Sequence, residues 1–196
     1  MVADTALSNV VLLHEERMPL AQAQVRHKVF ISYYHAEDEE YREKFERLFS
    51  GIFINKSVQP GEIDSDNSAE YIKRLIQEGH ISDTSVLVVL VGAHTWSRKH
   101  VDWEISAALM KKVGGYSGLL GLWLPTHPDY GKDTYRPDAV PPRLVDNVKS
   151  GYANLYDWTA DASKVKRWIN TAFEARVSKT NLIVNDREQF VRNRAV

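Results

Sequence analysis

Residues 85–92 read SVLVVLVG, and Val86 to Val91 form an aliphatic run with no polar alternation. A strand with one wet face alternates apolar and polar side chains, whereas one covered on both faces does not. The run is therefore predicted to be the central strand of a parallel sheet with helices above and below. Outward from it, KVFISY (28–33) is a β-rich run, and residues 39–49 carry Tyr41, Phe45, Leu48 and Phe49 at helical spacing. IFI (52–54) is a short second strand, and SAEYIKRLIQEG (68–79) has a helical period ending at Gly79. Downstream, a helix is expected over 100–112, ending at Gly114-Gly115. A strand over 118–124, a strand within 152–158 and a helix over 163–177 follow.

Strands alternating with helices predict an α/β fold, a flavodoxin-like five-stranded parallel sheet of order 2-1-3-4-5 with helices on both faces. In that order the crevice lies beyond the C-terminal ends of strands one and three. This places the loop from Tyr33 to Asp38 and the loop from Gly92 to Lys99 at the candidate site before any motif is consulted. The expected organisation is an extension over 1–26, a domain over 27–177 and a polar tail over 178–196. Within the domain, residues 125–153 hold five of the seven prolines and read as a long loop insertion.

Composition narrows the functions. The 196 residues suit one domain. Lys and Arg total 25 against 26 Asp and Glu, which offers no electrostatic reason to expect a nucleic-acid partner or an anionic membrane. No stretch reaches the roughly 20 apolar residues of a membrane span, and residues 1–26 do not read as a secretory signal. With no cysteine there is no thiolate nucleophile and no cysteine-ligated zinc. His94, His100 and His127 lack metal-ligand spacing, so no metal is expected, and a cytoplasmic location is. Strand three ends in Val91-Gly92, not in the aspartate a phosphoacceptor receiver needs, and no glycine-rich phosphate loop occurs.

In HVDWEIS (100–106), Val101, Ile105, Ala108 and Lys112 line one side of the helix, and Glu104 falls about 60° from Val101 and about 40° from Ala108, on the border of the stripe expected to be buried. A carboxylate there is either a functional group facing the crevice or a favourable partner of the helix's positive end. Trp96 and Trp103 flank the same turn as stacking faces for a heteroaromatic ring or as packing residues. Asp38 is either a site residue or the cap of the first helix.

KVFISYYHAED followed by SDTSVLVVLVGAHTWSRKHVDWEIS resembles the TIR domain, and the match extends over most of 28–176. The turn at WEI, the loop with VPPRL and the following YANLYDW are similar to bacterial TIR-like sensors of Thoeris antiphage defence. The resemblance implies an enzyme that consumes NAD as substrate, with no separate cofactor and Glu104 as catalytic residue. It places Ser32, Tyr33, Tyr34 and His35 at the nucleotide site, with Ser57, Trp96 and Trp103 as further candidates. Cleavage of the nicotinamide-ribose bond would give a cyclic or conjugated ADP-ribose signal read by a separate effector, on a trigger from phage or by self-association. KSVQPGEIDSDNS departs from the family pattern, and His100 and Val101 replace its cysteine-containing stretch. The alternatives are a noncatalytic TIR adaptor acting through TIR-TIR association and a base-exchanging or deoxyribosyl-transferring enzyme of similar topology.

Overall fold

The computed structural model describes residues 25–57 and 80–195. The expected helix over 68–79, the departing segment from Val58 onward and residues 1–24 of the extension lie outside the described residues. Five parallel strands, β1 (His27–Ser32), β2 (Phe53–Asn55), β3 (Val86–Val91), β4 (Gly118–Trp123) and β5 (Asn154–Asp157), form one sheet of order β2-β1-β3-β4-β5. The predicted topology is the observed one. Every side chain of β3 is buried, as its unbroken aliphatic run requires. At about 1.5–3 kcal/mol for each such side chain, this strand is a main apolar anchor of the fold.

Among the described residues four helices cover the sheet: α1 (His35–Phe49), α2 (Lys99–Ala108), α3 (Pro142–Lys149) and α4 (Ala162–Ser178). Strand alternation sorts the core into two layers. Phe30, Leu87, Val89 and Val91 pack with Val101 and Ile105 of α2 and Leu144 of α3. Val29, Ile31, Val86, Val88 and Leu90 pack with Phe45 and Phe49 of α1 and Val165 and Ile169 of α4. Asp161 starts α4, its carboxylate accepting from the backbone N–H groups of Ser163 (2.9 Å) and Lys164 (3.1 Å).

Three expectations change. Residues 125–153 are not one long loop: Pro142 opens α3, whose Leu144 and Val145 are buried, so the β4–β5 connection is an ordinary helical crossover preceded by a short 3-10 turn. The proline-rich composition hid a helix that begins on the one residue type that suits its first turn. Helix α2 ends at Ala108, four residues before Lys112, which lies off the helix; its partly buried ammonium donates to the carbonyls of Ile81 and Thr84 and to Ser117 Oγ. Helix α1 begins at His35, earlier than its apolar spacing indicates, because its first turn, HAED, is polar.

Close approach, not conformational freedom, explains Gly118. A Cβ there would overlap the backbone carbonyl of Ala172, where α4 crosses the start of β4. Gly118→Ala is expected to push α4 off the sheet and lower stability by about 1–3 kcal/mol, read as a shifted urea midpoint at unchanged slope.

Candidate functional site

At the C-terminal end of β1, Ser32 pairs with Val89 and lies on the same face as Phe30, the face that α2 covers. It is 1% exposed, and its Oγ has no hydrogen-bond partner among the described residues. A buried hydroxyl left in this state is a polar handle facing the α2 layer. Tyr33 turns the other way, into the layer under α1, where its hydroxyl donates to Glu39 Oε2 at 2.6 Å and its ring stacks on that of His35 at 4.2 Å. Burial, helped by the Glu39 carboxylate, pushes the Tyr33 phenol well above its ordinary range. Tyr34 carries the guanidinium of Arg98 over its ring at 3.9 Å, and Arg98 Nε donates to the carbonyl of His94 at 3.2 Å. The first-loop residues therefore divide: Ser32 faces α2, Tyr33 and His35 sit toward α1, and Tyr34 contacts the loop after β3. Ser57 Oγ accepts the N–H of Ile31 at 2.8 Å, so its hydroxyl extends the edge of β1.

Helix α2 carries the acidic candidate. Glu104 is 3% exposed, more deeply placed than its border position on the helical wheel suggests. All residues from Val101 to Ala108 are buried, because α2 is covered on more than its sheet-facing side. Trp96 is half-buried in the 3-10 turn Thr95–Ser97. Trp103 is fully buried, its Nε1 donating to the carbonyl of Phe190 at 2.7 Å.

What covers α2 is the C-terminal segment, which sequence reasoning left unassigned. Arg143 of α3 and Asp102 of α2, 0% and 1% exposed, form an ion pair with Nε to Oδ1 at 3.0 Å. The same pair grips the segment: Arg143 Nη2 donates to the carbonyl of Arg187 at 2.8 Å, and Asp102 Oδ2 accepts the N–H of Phe190 at 2.9 Å. Asn147 makes two bonds to the backbone of Val184, donating to its carbonyl (2.7 Å) and accepting its N–H (3.1 Å). Asn193 Oδ1 accepts the N–H of Lys99 at 2.9 Å and so caps the start of α2, whose own N-cap residue, Arg98, offers no side-chain acceptor. No local pattern announces these contacts; the only signals are an arginine inside VPPRL and an aspartate beside a tryptophan.

Asp38 does not cap α1, since Tyr34 occupies the N-cap position. Its carboxylate is buried, accepts from Thr95 Oγ1 at 3.1 Å and packs so closely on Gly92 that any Cβ there would overlap it. His94 and Glu37, 2.8 Å apart, make a second tie between α1 and the loop after β3. Burial raises the pKa of Asp38 from 3.8 to about 6, with nearby Glu37 adding to the shift and the Thr95 bond opposing it. The folded state thus holds a proton that the unfolded chain has released. The favourable contribution is complete below about pH 3.8 and is lost as pH rises through about 6. Asp38→Asn is expected to flatten stability between these values and to raise it at pH 7 by about 1–2 kcal/mol, checked by urea unfolding across a pH series.

Against this geometry, residues 30–129 match the family described as Thoeris protein ThsB, TIR-like domain. The chain belongs to that family. The region shared with ThsB TIR-like domains runs from β1 through α2 and β4 and includes Ser32, Tyr34, Trp96 and Glu104, whereas α3, α4 and the C-terminal segment fall beyond it. Among solved structures, the TIR domains of the activated Roq1 resistosome directly recognizing the pathogen effector XopQ are similar at 16% identity and a TM-score of 0.38, over 76% of this chain and 83% of that one. No curated protein sequence matches. Among the described residues of this ThsB-family chain, no helix is long and apolar enough to cross a membrane, and no cluster of His, Asp and Glu could hold a metal ion.

Proposed function

We propose that the chain is an NAD-consuming enzyme of antiphage defence that breaks the nicotinamide-ribose bond and forms a cyclic or conjugated ADP-ribose. The observation that carries this reading is the burial of Glu104 on the helix that faces the end of β1, in a chain of the ThsB TIR-like family. Nicotinamide in NAD is a cationic leaving group that departs neutral, so the reaction asks little of a general acid. It asks for stabilisation of a positive, oxocarbenium-like ribose, and a carboxylate held out of water supplies this by charge and by hydrogen bonds to ribose hydroxyls. Ser32 lies on the same side of the sheet, with its hydroxyl available to a polar group of the nucleotide.

Restricted water selects the product. Water attacking the sugar carbon gives ADP-ribose, whereas a second nucleophile held in its place gives the cyclic or conjugated signal, read by a separate effector. At 3% exposure Glu104 meets substrate only after an opening step, so the resting protein is slow and turns over on a phage-derived trigger or on self-association in the cytoplasm. Product analysis by chromatography and mass spectrometry tests this, with NAD and the protein, alone and with lysate of infected cells. Nicotinamide and a cyclic or conjugated ADP-ribose are expected. Folded protein that releases no nicotinamide in either condition, yet associates with a TIR partner, would establish the adaptor instead.

A further inference from the structure

We infer that the C-terminal segment 184–194 is an intramolecular ligand of the groove between α2 and α3, and that its docking positions Glu104 for the reaction proposed above. The contacts divide α2 into sectors. Val101 and Ile105 face the sheet, and Asp102 and Trp103 hold Phe190 of the segment. Glu104 lies about 160° around the helix from Asp102, on another flank. The bonds that Asp102 and Trp103 make to the segment therefore fix the rotation and the axial position of the helix that carries the carboxylate. The segment acts at three places on α2, through Phe190 at Asp102 and Trp103, through Asn185 and Gln189 at Ser106, and through Asn193 at the first N–H of the helix.

The mode of docking resembles that of a bound peptide. Arg143, Asn147, Trp103 and Asp102 all address backbone groups of the segment. From Ile183 to Ala195 the segment has no helix or strand of its own, and Phe190 is its one residue counted in the buried core. It can therefore leave without breaking the sheet or any of the four helices. Release would free both sides of α2 on this flank, and a carboxylate misplaced by about 1 Å loses roughly 100-fold in turnover.

Full-length Phe190→Ala removes the apolar anchor, and Gln189→Ala with Asn193→Ala removes two side-chain bonds, to Ser106 and Lys99, should the first variant fail to fold. Docking is read by hydrogen exchange of the α2 amides and by protease cutting within 184–194. Catalysis is read as nicotinamide turnover at saturating and limiting NAD. The expected result is faster α2 exchange and a kcat lower by about 10- to 100-fold at nearly unchanged KM, with both restored by a synthetic peptide of residues 184–195 added in trans. A released segment with unchanged or increased turnover would overturn the positioning role, and α2 exchange that ignores the substitutions would overturn the docking itself. If the wild type releases no nicotinamide even with lysate of infected cells, the activity reading fails; exchange and peptide binding still decide whether the segment is a ligand of the groove.

Discussion

Glu104→Gln is expected to lower nicotinamide release by about 1,000-fold or more while leaving the folded state in place. Glutamine keeps the volume and one acceptor oxygen and removes the negative charge, so the comparison isolates charge from shape. In a site that excludes water, a fixed anion beside a developing oxocarbenium ion is worth several kcal/mol, and about 1.4 kcal/mol is lost for each tenfold of rate. Glu104→Asp retains the charge but withdraws it by one methylene, and a loss of about 100-fold is expected there. Single-turnover measurement with activated protein, with circular dichroism to verify folding, distinguishes the two variants. Turnover by the glutamine variant close to that of the wild type would remove Glu104 from the chemistry and return it to a packing role.

The sheet was legible because its signal is local. The unbroken run of β3 declares a strand covered on both faces, KVFISY of β1 declares a strand by its β-rich composition, and right-handed crossovers leave few arrangements, of which the observed order is the one five strands favour. The position of Glu104 beside the apolar stripe of α2 was legible for the same reason, since a helical period needs only neighbouring residues. Its depth was not, because the wheel shows one sheet-facing stripe while α2 is also covered by a residue 87 to 88 positions later. The polar segment after Ser178 gave no periodic signal, as a strap bound through its backbone requires none. The helix at Pro142 was hidden by the prolines around it, and the bond from Trp103 to the carbonyl of Phe190 was not legible because a backbone acceptor has no sequence signature.

Arg143→Met is expected to be among the most destabilising single changes in the described part of the chain. The guanidinium is fully buried and answers to Asp102, Asn185 and the carbonyls of Arg187 and Glu188. Methionine fills much of the space but leaves the Asp102 carboxylate buried with the N–H of Phe190 as its remaining donor among these contacts. Removing one partner of such a pair costs about 3–5 kcal/mol, because an uncompensated charge remains where water cannot reach it. For a chain of this size that is a fall in Tm of roughly 6–20 °C. The double variant with Asp102→Asn should recover part of the loss, since amide and thioether leave no orphan charge while the asparagine oxygen still accepts from Phe190. Calorimetry of the wild type, both single variants and the double variant closes the cycle. A coupling near zero would mean that Asp102 and Arg143 grip the segment independently of each other; a coupling of about 2 kcal/mol or more assigns the grip on α2 to the ion pair.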